Sequence, residues 1–328
     1  IYPCEVNIHD RILHMGGVTG VGTYPEFSGM GLMNDLIRHA LLKMRKAGQF
    51  ISYLYPYSIP YYRRKGWEII SDHITFTLKD TEIPATAEVP GHVERRAVGD
   101  RDVKETYDRF ARSTHGALIR NDFEWMEYWR WENEEERTAA VYYDALGIPQ
   151  GFLLYWVEED IFNIREMVYL TQEARKGLWN FIRAHYSMID AVNGHIYTGE
   201  PLAFLLDESQ IRESIEPYFM ARIVDVAEFL YPFAPGVRPF HFVVTDPMAE
   251  WNTGIFSVAT DREGAAIVTD QPAGRPVTLD IQTLSAMLMG YKRPSYLARI
   301  ERLRTDKRTL RLLEEIIPDT QPYFSDYF

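Results

Sequence analysis

Residues 18–31 read VTGVGTYPEFSGMG, and this passage from a strand-like run through a glycine turn decides the fold. A helix follows, because apolar residues recur at the spacing of one buried face: Leu32, Leu36, Ile37, Ala40, Leu41 and Met44. Glycines between a strand and a helix N-terminus let backbone N–H groups approach a phosphate, where the helix adds a positive potential. The turn is not a Walker loop, since no Lys-Ser or Lys-Thr pair follows Gly31, and its spacing fails the Rossmann fingerprint. It predicts either a phosphate site of another type or a simple turn.

The composition is that of a globular protein and disfavours several functions. With 328 residues, the chain is long enough for two or three domains. Its formal net charge of −12 disfavours nucleic acid and favours cationic partners, or simply keeps the protein in solution. No run approaches the roughly 20 apolar residues that cross a bilayer, so no membrane partner is expected. The single cysteine, Cys4, excludes an internal disulfide and a cysteine metal site, which fits a cytoplasmic location.

The chain divides into three blocks, and the first ends at a proline-containing linker over 81–90. Besides the helix from Leu32, the first block is predicted to hold strands over 5–15, 17–24, 50–55 and 67–78 and a short helix over 60–65. The second is predicted to hold strands over 93–97, 138–145, 151–158 and 164–170 and helices over 102–112 and 173–185. The two blocks share one order of elements, but the first lacks a counterpart of residues 93–137. We therefore expect that an upstream piece is absent before Ile1.

The third block begins near Val224 and has another order of elements. Its pattern predicts strands over 240–245, 254–260, 265–269 and 276–281 and helices over 282–289 and 307–317. The tail reads YFSDYF at 323–328, and four of these six residues are aromatic. Chain ends usually fray, but aromatic side chains are costly to expose, which favours a buried tail.

The segment 28–33 resembles the acetyl-CoA motif of the GNAT superfamily of N-acetyltransferases, Arg/Gln-x-x-Gly-x-Gly/Ala. Ser28 stands in place of the basic or amide residue, and Met33 in place of the last small residue. Over essentially its whole length, the chain resembles one branch of that superfamily, the enhanced intracellular survival (Eis) acetyltransferases. The resemblance rests on residues 18–32, YYRRKGW at 61–67, the degenerate second block, the pattern of the third block and DYF at 326–328.

The resemblance implies an α+β fold. It consists of tandem GNAT-like mixed sheets with flanking helices and a C-terminal sterol carrier protein-like α/β domain. The expected domains are an N-terminal GNAT domain over 1–88, a second, degenerate GNAT-like domain over 89–223 and the sterol carrier protein-like domain over 224–328. The second copy carries an acid, Glu173, where phosphate would sit, so we expect that it has lost coenzyme binding. Because members of that family assemble as hexamers, the resemblance also implies a homo-oligomer, expected to be a hexamer.

The resemblance also implies two catalytic groups. Tyr62 matches the tyrosine that protonates the coenzyme sulfur, and a reference pKa of about 10 keeps such a hydroxyl protonated at neutral pH. The alternatives are a packing tyrosine, or Tyr61 in its place. The base of the family is the chain's own terminal carboxylate, here that of Phe328, and the alternative is a frayed terminus.

Acetyl-CoA is the expected cosubstrate, and no metal is expected. The backbone N–H of Val21 would donate to the thioester carbonyl, and Thr23 would contact the pantetheine arm in the manner of strand addition. The motif residues expected at the pyrophosphate are Ser28, Gly29, Met30 and Gly31. Three polar residues of the preceding strand either line the substrate cleft or face solvent: Glu5, His9 and Asp10.

The sequence thus predicts an acetyl-CoA-dependent N-acetyltransferase that acts on amines of small cationic substrates, such as aminoglycosides or polyamines. Direct transfer in a ternary complex is expected, because no activated Cys or Ser pairs with a base. One alternative is a non-catalytic protein that binds an apolar ligand in its third domain. Another is an acetyltransferase that acts on protein lysines.

Overall fold

The computed structural model describes residues 1–130, 137–197, 201–230, 240–260 and 266–328. These residues form two compact units, each made of more than one stretch of chain. The first unit contains Ile1–Ser71, Tyr218–Pro322 and Phe328, and the second contains Asp72–Pro217 and Tyr323–Tyr327. The domain limits expected at 88/89 and 223/224 stay predictions.

The elements are numbered in chain order. The strands are β1 (Tyr2–Ile8), β2 (Arg11–Gly17), β3 (Ile51–Leu54), β4 (Glu68–Ile69), β5 (Asp72–Lys79), β6 (His92–Arg96), β7 (Leu118–Ile119), β8 (Thr138–Tyr143), β9 (Pro149–Glu158), β10 (Ile161–Tyr169), β11 (Ala191–Ile196), β12 (Arg212–Pro217), β13 (Met220–Ile223), β14 (Phe240–Thr245), β15 (Gly254–Thr260), β16 (Ala266–Thr269) and β17 (Arg275–Asp280). The helices are α1 (Leu32–Lys46), α2 (Ile59–Arg63), α3 (Arg101–Ser113), α4 (Asp122–Arg130), α5 (Gln172–Arg183), α6 (Val226–Leu230), α7 (Ile281–Leu288), α8 (Pro294–Arg299) and α9 (Lys307–Ile316). Within the described ranges, each helix is too short or too polar to cross a lipid bilayer.

The first unit contains a mixed sheet in which five strands follow the order β4-β13-β3-β2-β1. β1 and β2 form an antiparallel hairpin, whereas β2 and β3 are parallel and pair only from Met15↔Ile51 to Gly17↔Tyr53. β13 comes from far along the chain and pairs antiparallel with both β3 and β4. One face of α1, with Ile37, Leu41 and Met44, is buried in the core beside this sheet.

The start of the chain differs from the sequence prediction. The single strand expected over 5–15 is two strands, because the chain reverses at His9 and Asp10, whose φ angles are 48° and 64°. The strand expected over 17–24 is also wrong, since residues 18–24 lie in no strand. The helix after the turn is confirmed, but Leu32 and Leu36 are 46% and 53% exposed and do not join its buried face.

The second unit contains a seven-stranded sheet in the order β12-β5-β11-β10-β9-β8-β6. Only β10 and β11 are parallel neighbours in this sheet, and the other pairs are antiparallel. The strand expected over 67–78 divides between the units, because β4 pairs in the first sheet and β5 in the second. α5 packs on the sheet through Ala174, Leu178 and Ile182, which are fully buried.

The third block forms a separate four-stranded sheet within the first unit, in the order β16-β15-β14-β17. The strands expected over 240–245 and 254–260 are confirmed with those bounds, and residue 265 of the next predicted strand lies outside the described residues. α7 and α9 are confirmed within one residue at their ends, whereas α8 was not predicted. The α+β fold expected from the sequence, with mixed sheets and flanking helices, is confirmed.

Most of the tail is held in the second unit by a buried group of charges. The Arg120 guanidinium lies 2.7 Å from an Asp326 carboxylate oxygen and 3.1 Å from one of Glu166. The hydroxyl of Tyr323 donates to Glu166 at 2.8 Å, and that of Tyr107 donates to Asp326 at 3.1 Å. The tail is therefore packed through Asp326 rather than frayed.

The pKa values of these two buried carboxylates are shifted in opposite directions. Burial alone would raise the pKa of Glu166, but the Arg120 charge and hydrogen bonds from Ser325 and Tyr323 outweigh it and hold that pKa below its ordinary value. Burial raises the pKa of Asp326 despite the opposing Arg120 charge. The charge of Arg120, with the hydrogen bonds, thus outweighs the effect of burial on the pKa of Glu166 but not on that of Asp326.

Candidate active site

A cleft of about 640 Å³ opens in the first unit beside the N-terminus of α1. Its walls come from the segment after β2, from the glycine turn and from α2. Six predicted site residues line it together: Val21, Thr23, Ser28, Gly29, Gly31 and Tyr62. Two predicted residues are not among its lining residues: Met30, whose side chain is 65% exposed, and Phe328.

The N-terminus of α1 lacks the side-chain cap that other long helices of this chain have. α3, α5, α7 and α9 each follow a residue whose side chain accepts a hydrogen bond from the first turn: Asp100, Thr171, Asp280 and Asp306. α1 instead follows Gly31, which has a φ of 80° and no capping side chain. The first amides of a helix have no partner within the helix, so a bound anion can satisfy them here.

The glycines of the turn leave this approach open. A Cβ atom built on Gly22, Gly29 or Gly31 would meet no other atom within 4 Å. The φ angles of Gly29 and Gly31 are both 80°, a left-handed conformation that other residues rarely adopt. The turn therefore leaves room for a ligand to approach its backbone closely.

Two cationic side chains in the cleft were missed by sequence reasoning. Arg64 and Lys65 lie at the end of α2 and line the same cleft as the glycine turn. The ammonium of Lys65 donates to the side-chain oxygen of Asn34 and lies 5.3 Å from the centre of the Tyr61 ring. Burial lowers the pKa of Lys65, and the charges of Arg64 and Arg38 lower it further.

These two cations supply positive charge that the motif itself lacks at Ser28. The residues are visible in the sequence as RRK at 63–65, but only the structure brings them to the turn at 28–31. A basic triplet in a single sequence is more often a solvated surface, so no signal in the sequence alone assigns these two residues to the cleft.

Tyr62 lies on α2, a short helix that has Pro60 in its first turn and that lines the cleft. It is 7% exposed, and its ring packs edge-on against Tyr61 and Trp67, with centroid distances of 5.2 and 6.2 Å. Burial raises the pKa of Tyr62, and the neighbouring Tyr61 raises it further. The hydroxyl therefore stays protonated at neutral pH and can donate a proton.

The turn after Tyr62 is fixed from behind by a buried arginine. The guanidinium of Arg222, on β13, donates to the backbone carbonyl of Lys65 and pairs with the carboxylate of Asp246. Gly66 has a φ of 95°, and a Cβ atom there would overlap Arg222. The position of the turn after α2 thus depends on Arg222 and Asp246, which lie about 155 and 180 residues further along the chain.

Phe328 lies in the same unit as Tyr62, on the β1–β2 hairpin. Its ring centre is 5.9 Å from that of Tyr2 and 5.4 Å from that of Phe219. The ring also covers Gly17, where a Cβ atom would lie 2.7 Å from it. The last residue is thus packed, and its catalytic role stays a prediction.

The three polar residues expected near the cleft do not line it. His9 donates from Nε2 to the carbonyl of Leu288 at 2.9 Å, and burial lowers its pKa. Glu5 lies 3.6 Å from His14 across the hairpin, and Asp10 occupies the turn. Among the residues that the structure describes, no group of three His, Cys, Asp or Glu side chains could hold a metal ion.

Family comparisons agree with the arrangement of the elements. Residues 1–70 and 116–223 each match a model described as an acetyltransferase (GNAT) domain, and residues 226–325 match a sterol carrier protein domain. This protein is a GNAT acyltransferase. The enzyme therefore has two GNAT domains and a sterol carrier protein domain, as the resemblance implied.

Solved structures support the same assignment over the whole chain. A probable N-acyltransferase from Enterococcus faecalis V583 is 29% identical with a TM-score of 0.89, and the match covers 99% of this chain and 84% of that one. A GCN5-related N-acetyltransferase from Anabaena variabilis is 26% identical with a TM-score of 0.86, over 99% and 85% of the two chains. Eis1 from Mycobacterium abscessus shares the fold, with a TM-score of 0.84 at 17% identity over 100% and 86% of the chains. No curated protein matches the sequence.

Proposed function

We propose that the protein transfers the acetyl group of acetyl-CoA to amines of small cationic molecules, such as aminoglycosides or polyamines. The observation that carries the proposal is the uncapped glycine N-terminus of α1, which opens into the same cleft as the buried Tyr62. An anionic coenzyme suits the first feature, and a protonated hydroxyl suits the departure of a thiolate.

The residues of the cleft would hold the coenzyme at both its charged and its reacting ends. The amides of the turn at Gly29 and Gly31, with Arg64 and Lys65, would bind the phosphates. The N–H of Val21 would donate to the thioester carbonyl, and Thr23 would contact the pantetheine arm. Residues 18–24 lie beyond the short pairing of β2 with β3, so their backbone groups lie where an extended ligand can pair with them.

The transfer itself would be direct. A neutral amine attacks the thioester carbon, the C–N bond forms, the C–S bond breaks and Tyr62 gives its proton to the thiolate. The carboxylate of Phe328 would accept the proton that the amine nitrogen loses, and Tyr62 would regain its proton from solvent. A covalent enzyme intermediate on Cys4 is disfavoured, because that side chain is 5% exposed.

An assay over a panel of amines tests the proposal. Thiol release and product mass would be followed with acetyl-CoA and aminoglycosides, polyamines and a lysine peptide, and the first two classes should be acetylated. Tyr62→Phe should lower kcat by about 10²-fold or more, since proton donation supplies gains of that order, while the acetyl-CoA Kd stays unchanged. Tyr61→Phe, on the same helix and in the same cleft, is the matched control and should keep most of the activity.

Two results would contradict the proposal. If no amine is acetylated and calorimetry detects no acetyl-CoA binding, the protein is a ligand-binding module without this chemistry. If only the lysine peptide reacts, the substrate is protein. A hexameric assembly is also proposed, on the family resemblance alone, and light scattering would measure it.

A further inference from the structure

The second unit repeats the strand separation that forms the coenzyme cleft in the first. In the first unit the parallel strands β2 and β3 pair over three positions and then part, and the cleft lies beyond that point. In the second, the parallel strands β10 and β11 pair from Ile161↔Ala191 to Ile164↔Gly194. β10 then has an irregularity between Ile164 and Glu166 and continues to Tyr169 without β11 beside it.

A cavity of about 200 Å³ lies beyond this second separation. Strand β10 contributes Ile164, Met167 and Tyr169, and α5 contributes Trp179 and Arg175. Most of the remaining lining is aromatic or aliphatic: Phe76, Phe110, Ile196, Tyr197, Leu202, Leu205 and Tyr323, with His195. A cavity of about 150 Å³ with apolar walls accommodates benzene, so this one suits a benzene ring with a short substituent.

The helix that lines this cavity begins differently from α1, in a way that disfavours phosphate. The N-terminus of α5 is capped by Thr171, whose hydroxyl oxygen accepts from the Ala174 N–H at 3.1 Å. The adjacent carboxylate of Glu173 accepts a hydrogen bond from Tyr142 at 2.6 Å. One amide of this helix end is thus capped by a side chain, and a carboxylate lies beside it.

The charge in the cavity wall is positive, although the whole chain carries −12. Among the described residues that line it there is no acidic side chain, and the permanently charged one is Arg175. Arg175 donates from Nε to Gln172 at 2.7 Å, and its two terminal amino groups have no partner among the described residues. A planar guanidinium of this kind matches a carboxylate with two parallel hydrogen bonds.

We propose that the second unit binds a compact aromatic monocarboxylate in this cavity, with its ring against Trp179 and Phe76 and its carboxylate on Arg175. The site is separate from the coenzyme cleft of the first unit, and its ligand has the charge opposite to that of an amine substrate. The inference does not depend on the proposed acetyl transfer.

Calorimetry on the full chain tests this site with phenylacetate as the probe. Phenylacetamide has the same shape without the charge and should bind about ten-fold more weakly or worse. Arg175→Gln should weaken phenylacetate binding by a similar factor and leave acetyl-CoA binding unchanged. Lys176→Gln, exposed on the next position of the same helix, is the matched control and should bind like the parent protein.

Three outcomes would overturn the proposal. The parent protein binds no phenylacetate at millimolar concentration, or the amide binds as tightly as the acid, or Arg175→Gln binds as tightly as Lys176→Gln. Thermal unfolding of both variants beside the parent would establish that a loss of binding is not a loss of fold.

Discussion

Arg64 and Lys65 bring two positive charges into a cleft of a strongly acidic protein. Because hydrogen bonds to charged partners contribute about 1.5–3 kcal/mol, we expect Arg64→Gln or Lys65→Gln to raise the acetyl-CoA Kd about ten-fold. The binding of either variant should also depend less on salt. Calorimetry at two ionic strengths measures both effects, with Lys46→Gln at the far end of α1 as the control. An unchanged Kd in both variants would show that the phosphates bind elsewhere.

The pKa values of Asp326, in the tail, and Glu166, on β10, are shifted in opposite directions. Since the pKa of Asp326 is raised in the folded protein, its protonated form contributes to the stability of the fold at low pH. This contribution to stability is lost as the pH rises through the folded pKa. Asp326→Asn lacks this loss, so its thermal midpoint minus that of the parent should increase from about pH 4 to 7.

Glu166→Gln should show the reverse trend. The pKa of Glu166 is lowered, so its contribution is present above the unfolded value of about 4.3 and is lost as the pH falls. The variant should be destabilised by about 3 kcal/mol at neutral pH, because it weakens the compensation of buried Arg120. Its deficit should stay constant down to about pH 4.3 and shrink only as the pH falls below that value. Parallel pH profiles for the two variants would contradict the assignment of these charges.

Much of the site could be predicted at the level of single residues. Val21, Thr23, Gly31 and Tyr62 are named by local pattern and resemblance, and the structure brings them to one cleft. Arg64 could not be assigned in this way, because its closeness to the glycine turn at 28–31 depends on how α2 packs and not on sequence spacing. Phe328 lies on the hairpin, where no local rule would place it.

Among the elements, the glycine at the start of α1 has a left-handed conformation, and we expect it also to have a role in binding. Gly31→Ala should lower the stability by about 1–2 kcal/mol, the cost of a left-handed conformation for a residue with a Cβ, and raise the KM for acetyl-CoA. Gly147→Ala is the matched control. Its φ of 76° is similar, and a Cβ atom there would also meet no atom within 4 Å, but it lies in the β8–β9 turn and is not among the residues that line the cleft.

The two variants should unfold at similar temperatures, and only Gly31→Ala should change the KM. Thermal unfolding and steady-state kinetics measure the two effects separately. An equal KM for acetyl-CoA in both variants would show that the coenzyme does not bind at the N-terminus of α1.

Elements with a local signal were predicted well, and those without one were missed. β14, β15 and α9 are bounded by glycine, proline or charge, and their limits agree with the sequence to within a residue. The β1–β2 hairpin was missed because its turn places His9 and Asp10 at positive φ, where Asn-Gly or Asp-Gly is the usual signal. β13 was missed because a four-residue strand has no period of its own, and its partners β3 and β4 lie about 170 and 150 residues earlier.

For the whole molecule, the last residue offers a test of the terminal base. One glycine appended after Phe328 keeps the ring on Tyr2 and Phe219 but moves the carboxylate, and it should lower kcat by about 10²-fold. Phe328→Leu keeps the carboxylate and loses ring contacts, so it should retain activity while lowering the thermal midpoint. Full turnover in the extended protein would exclude the terminal carboxylate as the base.

The discontinuous make-up of the units has a consequence for how the protein is made. All seven strands of the second sheet lie within residues 72–217, so the ribosome delivers them before β13 exists. Until residue 223 has left the exit tunnel, the sheet of the first unit lacks the strand that pairs with both β3 and β4. The seven-stranded sheet can therefore form before the first sheet has all its strands, the reverse of the usual N-terminal-first order.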